Sequence, residues 1–317
     1  MACIAFEITD EGKKYKVENM VGFELTKDAE AACDGLRLKF IADEKPDEII
    51  SVTAFIDGEK VFFGYCDTQR TERTNNGFEV FVYARSSACI LVDNEAQPAI
   101  YNSPSAKAIF IREAEKFGFK NGLDELCCKY SYTVPKGSSC FGAINDFVRV
   151  LTSKSIAVSP ENVIYLPASN GTASFTKNDV ISEKHIINRG QPISKIDYKL
   201  DCDEGYTRHF ESRNLLKKGI SKSRKINISA LPAWQREYAL KNRLKKASSG
   251  YISAEIVLSG VNYFNLYDRV EYDSPTEGEL DGYVIKGVCV SQEDSTASTR
   301  LLLEKPVELK EVNYVAK

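Results

Sequence analysis

Histidine is nearly absent from this 317-residue chain, which holds only His185 and His209. Any catalytic triad, imidazole general acid or base, or histidine-ligated metal must therefore use one of these two. Both lie in charged, strand-like or connecting stretches (EKHIINR and YTRHFESR), where a solvated surface histidine is the expectation. The P-loop, the nucleophile elbow, the HExxH zinc motif and the dinucleotide-binding glycine motif are all missing. There is no CxxC pair and no Cys/His group at zinc spacing, so no metal and no cofactor are expected. Nowhere do 18 consecutive apolar residues occur, and the first stretch carries Glu7 and Asp10 in place of a signal-peptide core. The expectation is a protein that neither spans a membrane nor follows the general secretory route.

What is present is ordinary in amount. A charged fraction of 27%, a hydrophobic fraction of 43% and a net charge of −3 fit a soluble globular chain and exclude disorder, collagen and a coiled-coil rod. The length suits about two domains. The nine cysteines are odd in number and scattered from Cys3 to Cys289, with the vicinal Cys127-Cys128 as the one close pair. They read as reduced thiols of a cytoplasmic protein, most of them serving as small buried hydrophobes.

The order of elements is β, then α+β, then β. Alternation in Leu36-Arg37-Leu38-Lys39-Phe40 and in Phe78 to Tyr83, with turn signals at Asp34-Gly35, Asp57-Gly58 and Asn75-Asn76-Gly77, predicts six strands near 3–9, 15–25, 35–42, 49–57, 60–70 and 77–84. Their spacing and hairpin turns fit an antiparallel barrel or sandwich over residues 1–86, taken here as a first barrel. An α+β insert follows over 87–190. It has one helix starting at Ser103-Pro104, with Ser103 as N-cap, and ending at Gly118. A second helix carries Phe141, Ile144, Phe147, Val148 and Leu151, and a hairpin turns about Ser159 to Asn162. Residues 191–317 then make a second barrel, interrupted by a basic helix at about 232–247. The fold class is mainly β, with two antiparallel β-barrels flanking a small α/β domain.

Charge is concentrated in one place. Residues 213–246 hold eleven basic side chains against one acid, Glu237. Arg213, Lys217, Lys218, Lys222, Arg224, Lys225 and the single Trp234 are the candidate interface residues. A run this biased meets something anionic or simply solvent. Nucleic acid is one option, although aromatic residues are sparse for it. For Trp234, packing on its own barrel competes with an anchoring role.

The segment Tyr83-Ala84-Arg85-Ser86-Ser87-Ala88-Cys89-Ile90-Leu91-Val92-Asp93-Asn94-Glu95-Ala96-Gln97-Pro98, followed by Tyr101 and Ser103-Pro104-Ser105-Ala106, resembles the junction of baseplate hub proteins of contractile phage tails. That family includes the late control protein D group, the Mu and T-even hubs, and the hubs of defective prophages and R-type bacteriocins. The resemblance implies two tail-tube-like barrels per chain and a homotrimer that presents a pseudo-sixfold ring. As a symmetry adaptor, that ring joins a hexameric tail tube protein to a trimeric central spike protein. Further partners implied are other baseplate proteins and the tape measure protein, with DNA only in passage and no membrane. Assembly in the host bacterial cytoplasm and a structural, non-enzymatic role follow from the same resemblance. Two alternatives stand beside it. One is a nucleic-acid or anionic-polymer binding module built on residues 213–246. The other is a carbohydrate-active tail enzyme, for which no carboxylate pair can be nominated.

Overall fold

The computed structural model describes residues 3–123, 125–152, 154–167, 171–307 and 315–316. The first β unit contains β1 (Ile4–Asp10), β2 (Lys13–Lys16), β3 (Asn19–Asp28), β4 (Gly35–Ala42), β5 (Ile49–Ile56), β6 (Glu59–Thr74) and β7 (Gly77–Ser86). Alternation does what it should: Leu36, Leu38 and Phe40 of β4 are buried while Arg37 and Lys39 face outward. Asp57 and Gly58, at φ of 52° and 83°, form the two-residue turn between β5 and β6, a conformation matched to strand twist. The strand expected over 15–25 is in fact two. The chain leaves β2 at Lys16, Val17 donates its N–H to the Phe6 carbonyl at 2.9 Å, and β3 begins at Asn19.

The insert holds α1 (Cys89–Asp93), β8 (Ala99–Tyr101), α2 (Ala106–Glu113), β9 (Lys120–Gly122), β10 (Tyr132–Val134), α3 (Cys140–Thr152), β11 (Ala157–Val158) and β12 (Val163–Tyr165). Ile109 and Phe110 from α2 meet Ile144, Phe147 and Val148 from α3 and Ile164 from β12 in a core of their own. The N-cap of α2 is Ser105, whose hydroxyl accepts from the Ala108 N–H at 3.1 Å, and not Ser103. Ser103 sits at φ 49°, and the Pro104 carbonyl is taken by the Cys128 N–H. The helix therefore starts two residues later than the Ser-Pro signal suggests.

Beyond the insert come β13 (Thr172–Ser174), β14 (Val180–Ile187), β15 (Lys195–Lys199), β16 (Arg208–Glu211), α4 (Arg213–Lys217), β17 (Ser223–Asn227), α5 (Ala233–Ser248), β18 (Ile252–Ser259), β19 (Arg269–Glu271), β20 (Asp273–Ser274), β21 (Gly278–Glu279), β22 (Val284–Glu293), β23 (Thr296–Glu304) and β24 (Val315–Ala316). The expected boundary at 190/191 does not coincide with the sheets. β14 lies before it, yet pairs with β18 of the second β unit. The strands of residues 195–227 lie after it, yet form with β24 a separate four-stranded sheet in the order β17-β15-β16-β24. On that sheet Ile196, Tyr198 and Phe210 pack against Leu240 and Leu244 of α5. The basic helix thus belongs to a small α/β unit set into the second β unit, between β14 and β18.

The two β units are one sheet. Its path runs β14-β18-β23-β22-β3-β4-β7-β6-β5-β1-β2, so β22 of the second unit pairs antiparallel with β3 of the first. The register runs from Gly287 opposite Asp28 to Glu293 opposite Gly22. Leu25 faces Val290 on the core side of this seam, and the buried residues of both units form a single cluster. At its end the Ala29 N–H donates to the Lys286 carbonyl at 2.8 Å. Beside it, the Lys27 ammonium contacts the Tyr263 hydroxyl at 2.8 Å and lies 3.9 Å from Asp34.

The backbones approach closely at Gly22, where a Cβ would sit 2.9 Å from the Gln292 carbonyl oxygen. Gly22→Val is therefore expected to force the seam apart and to cost about 1–3 kcal/mol, read as a lowered midpoint in urea unfolding. An unchanged midpoint would contradict that close approach.

Candidate functional site

The residues that carry the junction motif bind the first β unit to the insert. Arg85, at the end of β7, reaches two carboxylates at once. Its Nη2 donates to Asp67 Oδ1 at 3.1 Å and to Asp93 Oδ2 at 2.7 Å, while Nε and Nη1 complete both pairs. Such forked contacts fix geometry as well as charge. They hold the Asp93 carboxyl below the ordinary carboxylate value. The Asn94 carbonyl accepts from the Cys140 N–H at the start of α3, Glu95 accepts from the Gly137 N–H, and the buried Ala96 donates to the Ser138 carbonyl. The motif is a bracket between β7 and α3.

Beside a branch in which β13 pairs β19 and β19 joins β22, the path of the long sheet ends in two strands that each have one neighbour among the described residues, β2 and β14. They are built differently. β2 reads Lys-Lys-Tyr-Lys, all exposed, and edge lysines discourage indiscriminate strand pairing. β14 carries Ile181 and Ile187 at 60% and 67% exposure, beside backbone groups on the side away from β18. Glu183 fastens β14 to the loop after β19, accepting from Tyr272 Oη and Ser274 Oγ at 3.0 Å each and from Thr276 Oγ1. Burial alone would raise the Glu183 carboxyl, but these donors and nearby His185 hold it below its ordinary value.

The basic stretch is spread over several structures. Lys222 Nζ donates to the Arg189 and Gly190 carbonyls at 3.1 and 2.7 Å. The Lys218 ammonium lies 5.3 Å from the Tyr251 ring centre and that of Lys225 5.8 Å from Tyr206. Arg224 and Lys225 are neighbours on β17 and so point to opposite faces. Arg213 and Lys217 lie on α4. Trp234 stacks on Tyr130 of the insert, centroids 5.3 Å apart and planes within 11°. It packs on the insert, not on its own β unit.

His185 is not a solvated histidine. It is mostly buried, its ring nitrogens have no hydrogen-bond partner among the described residues, and Nε2 lies 3.9 Å from Glu183 Oε1. The cysteines are free, but only Cys89, Cys128 and Cys140 are buried. Burial pushes the Cys33 thiol up to about 12. The Cys140 thiol, 3.7 Å from the fully buried Glu113, is raised by burial and by that acid, the reverse of an activated nucleophile. Among the described residues no group of three or more His, Cys, Asp or Glu is placed to hold a metal ion, and no helix is long and apolar enough to cross a membrane.

No family model and no curated protein matches the chain. Solved structures do match it. A tail protein from Neisseria meningitidis MC58 superposes with a TM-score of 0.76 at 14% identity, over 95% of this chain and 96% of that one. The 43 kDa tail protein of prophage MuSo2 from Shewanella oneidensis gives 0.77 at 15% identity, over 95% and 97%. The chain has the fold of phage tail proteins. An Escherichia coli component of the type VI secretion system, itself similar in structure to the T4 tail proteins gp27 and gp5, matches at 0.58 and 9% identity over 94% of this chain and 76% of that one.

Glu183 has a folded value below its unfolded one, so its stabilising effect is present above about pH 4.3 and is lost as pH falls through the folded value. Urea unfolding should find Glu183→Gln less stable than the native chain at neutral pH, with the gap closing below about pH 4. A gap of equal size at acid and neutral pH would contradict this role.

Proposed function

We propose that the chain is a structural subunit of a tail baseplate: a hub that assembles as a homotrimer and adapts a hexameric tail tube to a trimeric central spike. The observation that carries this reading is the fusion of two β units through β3 and β22 into one sheet whose main path has β14 at one end and β2 at the other. Surfaces of this kind associate head to tail, and head-to-tail contacts close into rings. Three chains then contribute six β units in which the bond between neighbouring chains repeats the bond within each. The β14 edge of one chain, with Ile181 and Ile187, lies against the β2 edge of the next. The likeness to tail proteins over nearly the full length of both chains supports the same reading.

On this reading the work of the molecule is mechanical. The ring passes the tape measure protein and DNA through its centre, contacts the tube on one face and the spike and other baseplate proteins on the other, and catalyses nothing. It assembles in the host cytoplasm as part of a phage or tail-like particle. Each contact between chains buries at least a standard interface of about 1,600 Å².

Light scattering on a sizing column is expected to give a mass near three times 35.4 kDa. Ile181→Lys together with Ile187→Lys, at exposed positions, is expected to leave the circular dichroism spectrum unchanged and return the mass to that of one chain. A native chain that stays monomeric at every concentration, and that captures neither a tube nor a spike protein, would overturn the reading.

A further inference from the structure

A cleft of about 630 Å³ lies where the insert, α5 and the second β unit meet. Arg149 of α3, Lys154, and Lys245 and Lys246 of α5 line it together with Lys286 of β22. Two carboxylates also line it, Glu30 and Glu304, and both sit within 4.0 Å of Lys286. Among the described residues the other four cations have no carboxylate oxygen within ion-pair distance. Asp146, whose carboxyl feels the charges of Arg149 and Lys246, lines the adjoining hollow between α3 and α5. Five cations from α3, the segment after it, α5 and β22 thus gather here against two lining carboxylates.

A second, independent feature points the same way. Ser248, in the last turn of α5, lines this cleft and is 2% exposed, yet among the described residues its hydroxyl has no hydrogen-bond partner. Buried hydroxyls are normally satisfied. The neighbouring Ser249 hydroxyl is satisfied by Glu304 at 3.0 Å. The rest of the wall joins the polar Ser155 and Asn242 to an apolar part made by Tyr267, Val284, Pro306 and Val307.

We propose that this cleft binds an acidic peptide segment of a partner protein, its carboxylates set against Arg149, Lys154, Lys245 and Lys246 and an adjoining apolar side chain set against Val284 and Val307. A single-stranded nucleic acid is the poorer fit. It would need open ring faces for stacking, and the one aromatic ring here, Tyr267, is covered by the Lys286 ammonium at 5.3 Å. The proposal does not rest on the trimeric reading, and native mass plays no part in its test.

The test uses the full chain and fluorescence anisotropy with three labelled probes: a short peptide of alternating Glu and Leu, its Lys and Leu counterpart, and a short oligothymidylate. The Glu-Leu peptide is expected to bind and the other two not to bind. Lys245→Glu with Lys246→Glu is expected to weaken binding about tenfold or more, and Ser248→Ala about threefold. Lys217→Glu with Lys225→Glu, outside the cleft, should leave binding unchanged. Equal losses from both pairs of reversals, tighter binding of the oligothymidylate, or no binding of the Glu-Leu peptide would each overturn the proposal. Matching circular dichroism and thermal midpoints establish that the variants remain folded.

Discussion

The antiparallel ladder between β3 and β22 is the contact on which the rest of the structure depends. It joins strands more than 250 residues apart in sequence, and its entropic cost of closure is offset only because both strands bury one face in a shared core. Leu25 and Val290 are opposite each other on that face, and the buried side chains of both units form one cluster. Without the ladder there would be two small β units, each with an additional exposed edge and each prone to indiscriminate strand pairing. With it, the main path of the long sheet ends at β2 and β14.

The insert and the small α/β unit are attached to this frame at defined points. Arg85 bridges Asp67 and Asp93 where the chain leaves the first β unit, so the direction of the insert is set by a rigid fork and not by a flexible linker. The Trp234–Tyr130 stack fixes the start of α5 to the insert. These contacts hold α5 with its last turn beside α3 and β22, and so create the basic cleft. Charge that looks like one block in the sequence is divided between lysines engaged within the chain, such as Lys222, and lysines left facing that cleft.

Much of the frame was legible in the sequence because local pattern and final environment agree. Leu36, Leu38 and Phe40 alternate and are buried, the Asp57-Gly58 turn has the chemistry its conformation requires, and the spacing of Phe141, Ile144, Phe147 and Val148 marks α3. The junction motif likewise pointed to the tail-protein fold that the solved structures share. What was not legible depends on partners distant in sequence. β14 has no apolar alternation, since its inward positions include Glu183 and His185, and only its pairing with β18 makes it a strand of the second β unit. The Ser103-Pro104 signal was outweighed by hydrogen bonds to the segment around Cys128. Lys245 and Lys246 give no hint in sequence that they stand beside Arg149 and Lys154.

The central claim is that the two β units form one sheet, and amide hydrogen exchange at single-residue resolution across the seam tests it most directly. In an antiparallel strand successive N–H groups point to alternate neighbours. If β3 and β22 are bonded on both sides, the amides from Phe23 to Lys27 and from Val288 to Gln292 should all be protected to the same degree as those between β4 and β7. A pattern in which every second amide on both strands exchanges rapidly, while β4 and β7 stay protected, would mean that the seam is open and would contradict the account.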